Sequence, residues 1–107
     1  MRIITFGTRR SPAKTKAERR EIYKAARLRR KRTLVDLCGG KCVDCGYSAH
    51  LAALDFDHVD PTDKKAGIAA LLGDSSLDFS KIVEEAKKCV IRCANCHRIK
   101  TNPTATL

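Results

Sequence analysis

The sequence predicts a small α+β fold, and three observations lead to that prediction. From residue 13 to residue 38 the chain is rich in Ala, Lys, Arg and Glu and has no glycine or proline, as in a long helix. Leu54 to Val59 alternates with the period of two that is typical of a strand. Two Cys-x-x-Cys pairs flank this strand: Cys42 with Cys45 and Cys93 with Cys96. Pairs with this spacing are typical of a tetrahedral zinc site.

The predicted N-terminal helix carries the excess positive charge. The chain has 107 residues and a formal net charge of +10. Residues 1–36 contain thirteen Lys or Arg and three acidic residues, whereas residues 37–107 are formally neutral. A phosphate polymer is the partner that such an arm favours. We therefore divide the chain into a basic arm, residues 1–36, and a domain, residues 37–107.

Four cations of the arm fall on one helical face, where they can line up beside a phosphate backbone. They are Arg20, Lys24, Arg27 and Lys31. The alternative is a solvated helix that is partly disordered until it meets a partner. Ser11 followed by Pro12 predicts the start of the helix, after an extended or disordered tail over residues 1–10. The glycines at positions 39 and 40 predict its end.

The domain is predicted to contain short elements around the strand. Residues 41–46 resemble a zinc knuckle, and residues 60–63 form a loop at Pro61. Residues 64–72 are predicted as a short helix that Gly73 closes. Asp78 or Ser80 caps the next helix, which runs to about residue 88.

That helix is predicted to turn three apolar residues inward: Ile82, Val83 and Ala86. Residues 90–92 are short enough to form only a strand. The last helix starts at Cys93 and ends before Pro103. Successive helical residues point about 100° apart, so Cys96 and His97 are expected to face different neighbours.

The cysteines are expected to bind metal. The chain has no apolar run long enough to cross a bilayer, and no hydrophobic segment follows the basic N-terminus as a secretory signal requires. These absences predict a soluble, cytoplasmic protein. In a reducing compartment, paired cysteines indicate a metal site and not disulfides.

The second half of the chain resembles the HNH endonuclease family, whose core is the ββα-metal fold. The likeness runs over residues 42–101 and rests on three segments. They are Cys42-x-x-Cys45, Leu54-Asp55-Phe56-Asp57-His58-Val59 and Cys93-Ala94-Asn95-Cys96-His97-Arg98-Ile99-Lys100-Thr101. In order and spacing they are similar to the small HNH proteins common in phage genomes. The resemblance implies a ββα-metal core with structural zinc knuckles, preceded by the long basic helix.

The resemblance also assigns roles to individual residues. His58 matches the general base that activates water, and Asp57 and His97 match the ligands of the catalytic cation. The structural zinc ligands match Cys42, Cys45, Cys93 and Cys96. The implied activity is hydrolysis of DNA to 5′-phosphate and 3′-hydroxyl ends. One set of catalytic groups nicks one strand, so cutting both strands needs a homodimer or two events.

The sequence departs from the family at one position. The family has an asparagine a few residues before the third zinc cysteine, where it braces the base through backbone contacts. Lys88 occupies that position here, and no asparagine lies nearby on that side. The residue that positions His58 is therefore left unassigned.

The assigned residues suit phosphodiester hydrolysis on chemical grounds. A histidine with an ordinary pKa of about 6.5 can take a proton from water near neutral pH. A divalent cation on Asp57 and His97 would neutralise the charge that builds up on the phosphate. Mg²⁺ suits ligands that are mostly oxygen, whereas Mn²⁺ or Ni²⁺ tolerates the imidazole better.

Each assignment has an alternative. Asp57 and His58 could form a structural pair, and His97 could replace a cysteine as a zinc ligand. Cys38 and Cys89 each precede a zinc cysteine by four residues, so either could replace its neighbour or pack as a small apolar residue. For the whole chain, the alternatives are a non-catalytic zinc module that binds nucleic acid, and an accessory subunit of a phage packaging (terminase) or homing nuclease.

Overall fold

The computed structural model describes residues 14–74 and 76–107 as a small α+β fold with four α-helices and one two-stranded sheet. The elements are α1 (Lys16–Leu37), β1 (Leu54–His58), α2 (Ile68–Leu72), α3 (Phe79–Ala86), β2 (Cys89–Cys93) and α4 (Ala94–Thr101). Single 3₁₀ turns lie at Leu51–Ala53 and Pro61–Asp63. Within these two ranges, no helix combines the length and apolar character needed to cross a membrane.

The long basic helix α1 starts later than the sequence analysis predicted. Thr15 caps it, with its hydroxyl accepting from the Glu18 amide while the Glu18 carboxylate accepts from the Thr15 amide. This reciprocal capping box satisfies two amides that would otherwise lack partners, so the helix begins at Lys16 and not at residue 13. The predicted cap at Ser11 and the tail over residues 1–10 lie outside the described residues. The helix ends as predicted, because the glycines at positions 39 and 40 take positive φ angles.

The two strands pair in antiparallel fashion, and the alternation of their side chains gives the sheet two different faces. Leu54 lies opposite Cys93, and His58 lies opposite Cys89. Leu54, Phe56 and His58 therefore share one face, whereas Asp55 and Asp57 share the other. The second face is covered by α4, which follows β2 directly.

The first face of the sheet packs on the hydrophobic core, to which α1 contributes its last turns. Leu34 joins one cluster with Ile68, Ile82 and Ala86. Val35 joins a second cluster around the sulfurs and β2. An isolated two-stranded sheet is marginal in water, so these contacts and α4 supply the support it needs. The predicted boundary after residue 36 thus falls within a helix whose end belongs to the core.

The short helices differ from their predicted bounds. Helix α2 spans five residues instead of the nine predicted, because Gly67 serves as its N-cap. The predicted loop over residues 60–63 contains a 3₁₀ turn, capped by Asp60. Helix α3 has the predicted Asp78 cap and buries Ile82 and Ala86. It also buries an acidic residue, Glu85, which the sequence analysis did not single out.

Candidate functional site

Four cysteines form a cluster that could hold a metal ion. One sulfur from each of Cys42, Cys45, Cys93 and Cys96 lies within 4.8 Å of the other three. A tetrahedral zinc site with bonds of about 2.3 Å requires sulfurs roughly 3.8 Å apart. The Cys45 and Cys93 sulfurs are 3.7 Å apart. Four sulfurs at this spacing are the donor set of structural zinc sites, and the predicted cluster is confirmed as a metal-binding geometry.

Local structure brings the four sulfurs together from two segments. After Cys42 the chain turns tightly, with the Gly46 amide donating to the Cys42 carbonyl at 2.9 Å. Gly46 takes a φ of +80°, which favours glycine. Cys93 ends β2 and caps α4, since its sulfur accepts from the Cys96 amide at 3.4 Å. One residue thus joins the strand, the helix and the sulfur cluster.

The cluster favours a thiolate at Cys42, one of its two buried members. Burial alone would raise the pKa of Cys42. Backbone hydrogen bonds around Cys93, Cys45 and Asp44 outweigh that effect and lower the pKa to about 6. Because a thiolate is the form that binds metal, Cys42 is prepared for coordination at neutral pH.

The other two cysteines lie in the hydrophobic core and not in the cluster. Cys89 is buried among α1, α2 and α3 residues, and Cys38 packs partly buried against them. Burial raises the pKa of Cys38, and burial together with nearby acidic groups and Cys38 raises that of Cys89 to about 11. The structure therefore favours the predicted alternative in which both pack as small apolar residues.

Asp57, on the face of the sheet that α4 covers, lies close to His97 of α4. The Nε2 atom of His97 lies 3.9 Å from Oδ1 of Asp57. Two ligand atoms of one cation with bonds of about 2.1 Å lie no more than roughly 4.2 Å apart. The other ring nitrogen, Nδ1, lies 3.0 Å from Oδ2 of Asp55. A carboxylate that orients an imidazole through its second nitrogen is a common feature of metal sites.

Two cations also contact Asp57. Its Oδ2 accepts hydrogen bonds from Arg92 at 2.6 Å and from Lys100 at 2.7 Å. Partial burial alone would raise the pKa of Asp57, but these two bonds outweigh it and lower the pKa below its usual value. Arg92 also binds Asp44 in the zinc knuckle at 2.8 Å. The Asp57 carboxylate is thus ionised, and Arg92 connects it to the sulfur cluster.

His58 lies on the opposite face of the strand from Asp57. Its ring is buried, and Nε2 lies 2.8 Å from Oε2 of the buried Glu85. His58 is the last residue of β1, next to the exposed Val59. The structure therefore groups Asp57 with His97, and pairs His58 with an acid that the sequence analysis missed.

Comparison with known proteins does not identify a function for this arrangement. No family model, curated protein or solved structure matches the chain. The order of two antiparallel strands and a helix, the four sulfurs and the acidic face beneath α4 are therefore the observations on which a function rests. Among the described residues, the four cysteines are the only set of three or more such donors close enough to hold one ion.

The cationic face of α1 borders a groove between α1 and α2. Arg20, Lys24 and Arg27 line it together with Arg30, which the sequence analysis did not include. Arg27 also donates to the Ala69 carbonyl of α2 at 3.3 Å. The groove thus combines exposed and half-buried cations with an acidic residue and several apolar side chains.

Lys31, the fourth predicted cation, does not line the groove. Its side chain is half-buried, and burial lowers the pKa of Lys31, while attraction to Asp55 opposes this shift.

Proposed function

We propose that this chain is a metal-dependent HNH endonuclease that nicks DNA. The observation that carries the proposal is the closeness of Asp57 and His97 on the face between the sheet and α4, with Cys96 beside His97 in the sulfur cluster. The strand, strand and helix that hold them have the order of the ββα-metal core. The four-cysteine site would hold structural zinc, and the second pair would hold Mg²⁺, Mn²⁺ or Ni²⁺.

The chain's own residues would divide the chemistry between the two faces of β1. A divalent cation on Asp57 and His97 supplies charge stabilisation for the phosphate and the leaving 3′ oxygen. His58 takes the proton from the attacking water. Asp57 and His58 are the last two residues of β1, so the proposal requires the phosphate to bind at that end of the strand. Arg92 and Lys100, which contact Asp57, would lie beside the same phosphate.

Plasmid cleavage tests this proposal directly. Zinc-loaded protein is incubated with supercoiled DNA and with Mg²⁺, Mn²⁺ or Ni²⁺ in turn. We expect nicked circles to accumulate only with an added cation, and His58→Ala to lower the rate by about 10²–10⁴, the usual contribution of a general base. The variant must keep its zinc and its thermal transition. DNA that stays uncut with every cation contradicts the proposal.

A non-catalytic zinc module that binds nucleic acid is the second candidate. The observation in its favour is that both groups needed for catalysis already have partners: His58 is buried against Glu85, and Asp57 accepts from Arg92 and Lys100. Buried polar groups with satisfied hydrogen bonds are common in structural roles. DNA binding that persists without cleavage, and that His58→Ala leaves unchanged, would favour this function. Cleavage restored by a phage packaging or homing partner would indicate an accessory subunit.

Binding through the basic face of α1 has its own test. Replacing Arg20, Lys24, Arg27 and Lys31 by Gln should weaken DNA binding and flatten its salt dependence, because each phosphate contact on duplex DNA contributes roughly −0.9 to the slope of log K against log salt. Fluorescence anisotropy at several salt concentrations measures that slope. The matched control replaces Arg29 and Arg32, exposed cations of α1 that do not line the groove. An equal change of slope per replaced cation in the two variants would show that net charge, and not this face, governs binding.

A further inference from the structure

The strongest unassigned feature is the buried carboxylate of Glu85 in α3. Its exposed fraction is 5 %, and that of His58 is 7 %. Cysteines aside, these two are the buried residues with polar side chains among those described. A carboxylate away from water is strongly disfavoured unless hydrogen bonds replace its hydration. The partners of Glu85 therefore indicate what keeps it inside.

Three donors surround the carboxylate of Glu85. Its Oε2 accepts from the Lys65 amide at 2.9 Å and lies 2.8 Å from Nε2 of His58. Its Oε1 accepts from Nζ of Lys88 at 2.9 Å. The amide of Lys65 contributes most, followed by Lys88, to lowering the pKa of Glu85 to about 2. The carboxylate is thus ionised and acts toward His58 as an acceptor.

An ionised acceptor determines which ring nitrogen of His58 carries the proton. Nε2 must donate to Glu85, so the neutral ring is the Nε2–H tautomer, with its lone pair on Nδ1. Within the described residues, Nδ1 of His58 makes no hydrogen bond. The ring is therefore held in one orientation, and no described residue uses its basic nitrogen.

We propose that Glu85 is the positioning residue of His58, fixing the ring so that Nδ1 accepts the proton of the attacking water. This inference rests on the proposed function and deepens it. Lys88 completes the arrangement, because it holds Glu85 from the other side and donates to the Asp63 carbonyl at 2.9 Å. The bracing that one asparagine would supply at position 88 is thus divided between Glu85 and Lys88.

Two double variants separate positioning from a purely structural role. In both, Lys88→Met removes the ammonium that faces the carboxylate. Glu85→Gln then keeps an oxygen that accepts from His58, whereas Glu85→Leu has the same approximate size and no acceptor. If Glu85 acts through His58, the Gln variant keeps kcat within about tenfold of the wild type, while the Leu variant loses roughly 10²-fold with an unchanged KM. Equal kcat in the two variants overturns the proposal.

A second readout does not require cleavage. Nitrogen-15 NMR of the His58 ring at neutral pH, in zinc-loaded protein without other cations, reports the tautomer. We expect Nε2–H alone in the wild type and in the Gln variant, and a mixture of tautomers in the Leu variant. An Nδ1–H ring in the unmodified protein overturns the proposal, even if the Leu variant does not fold.

The two readouts also distinguish this inference from the proposed function. If wild-type protein does not cut DNA, the nuclease assignment fails. If His58→Ala cuts DNA normally, the role of His58 as the base fails, and in either case the catalytic meaning of Glu85 fails with it. An Nε2–H tautomer would then indicate that His58 and Glu85 form a structural pair. If His58→Ala abolishes cleavage while the ring is the Nδ1–H tautomer, the nuclease assignment stands and the role of Glu85 alone is wrong.

Discussion

Replacing Cys93 by serine is expected to release the zinc and to unfold the domain, residues 37–107. Cys93 supplies one sulfur of the cluster, ends β2 and caps α4, so its loss acts on three elements at once. Structural zinc in small domains binds with an apparent free energy of about 10–16 kcal/mol near neutral pH, which exceeds the stability of most small cores. Metal analysis of the purified protein and circular dichroism on heating measure both effects.

Cys38→Ser is the matched control for that experiment. Cys38 is partly buried, lies outside the cluster, and its thiol donates to the Ala86 carbonyl at 3.3 Å, a bond that a serine hydroxyl can replace. We expect this variant to keep one zinc per chain and a cooperative thermal transition. Zinc that survives in Cys93→Ser, or that is lost in Cys38→Ser, would show that the ligand set is different.

Asp57→Asn and His97→Ala are each expected to abolish cleavage without loss of zinc. The first change keeps the size of the side chain but removes its charge, and the second removes the imidazole that lies 3.9 Å from Asp57. Loss of a single group that stabilises transition-state charge costs about 10²–10³ in rate, and loss of a metal ligand is expected to cost at least as much. Nicking rates over a range of Mn²⁺ concentrations measure the effect.

Ile99→Ala serves as the control on the same helix. Ile99 is 66 % exposed and two residues beyond His97, so its truncation tests whether any change in α4 lowers the rate. We expect wild-type cleavage from this variant. If Asp57→Asn or His97→Ala also loses zinc, the two metal sites are not independent. If either variant cuts at the wild-type rate, the catalytic cation is held elsewhere.

The sulfur cluster, and the different orientations of the Cys96 and His97 side chains, were predictable from the sequence. Cys-x-x-Cys spacing fixes two ligands within one turn, and the helical rotation of about 100° per residue separates Cys96 from His97. In the structure Cys96 lies in the cluster, whereas His97 contacts Asp55. Likewise, the alternation of Leu54 to His58 predicted a strand with its two aspartates on one face. Such local periodicities survive folding because covalent geometry sets them.

The partner of His58 was not predictable in the same way. Glu85 stands in a run of charged residues, where a solvated position is the usual expectation. Its burial depends on the packing of α3 against β1, a contact between residues 27 positions apart. One signal was present: Glu85 follows the inward-facing Ile82 by three residues and therefore lies at the edge of the same helical face.

The start of α1 was predicted too early for a different reason. The threonine and glutamate spaced three residues apart, Thr15 and Glu18, form a capping box within the stretch read as helix interior. A proline at position 12 offered a competing signal nearer to the N-terminus. In α2, Gly67 delays the start of what the surrounding alanines and leucines suggested would be a longer helix.

The register of β1 against β2 decides which side chains of β1 face the core and which face α4. Sliding β1 by one residue would turn every side chain to the opposite side, placing Asp57 in the core and His58 beneath α4. Leu54 sits opposite Cys93, and Cys93 is anchored among the sulfurs. The cluster therefore does more than add stability to a small core. It sets the register of the strand, so a one-residue insertion within β1 would turn the side chains beyond it to the opposite face and disrupt the site.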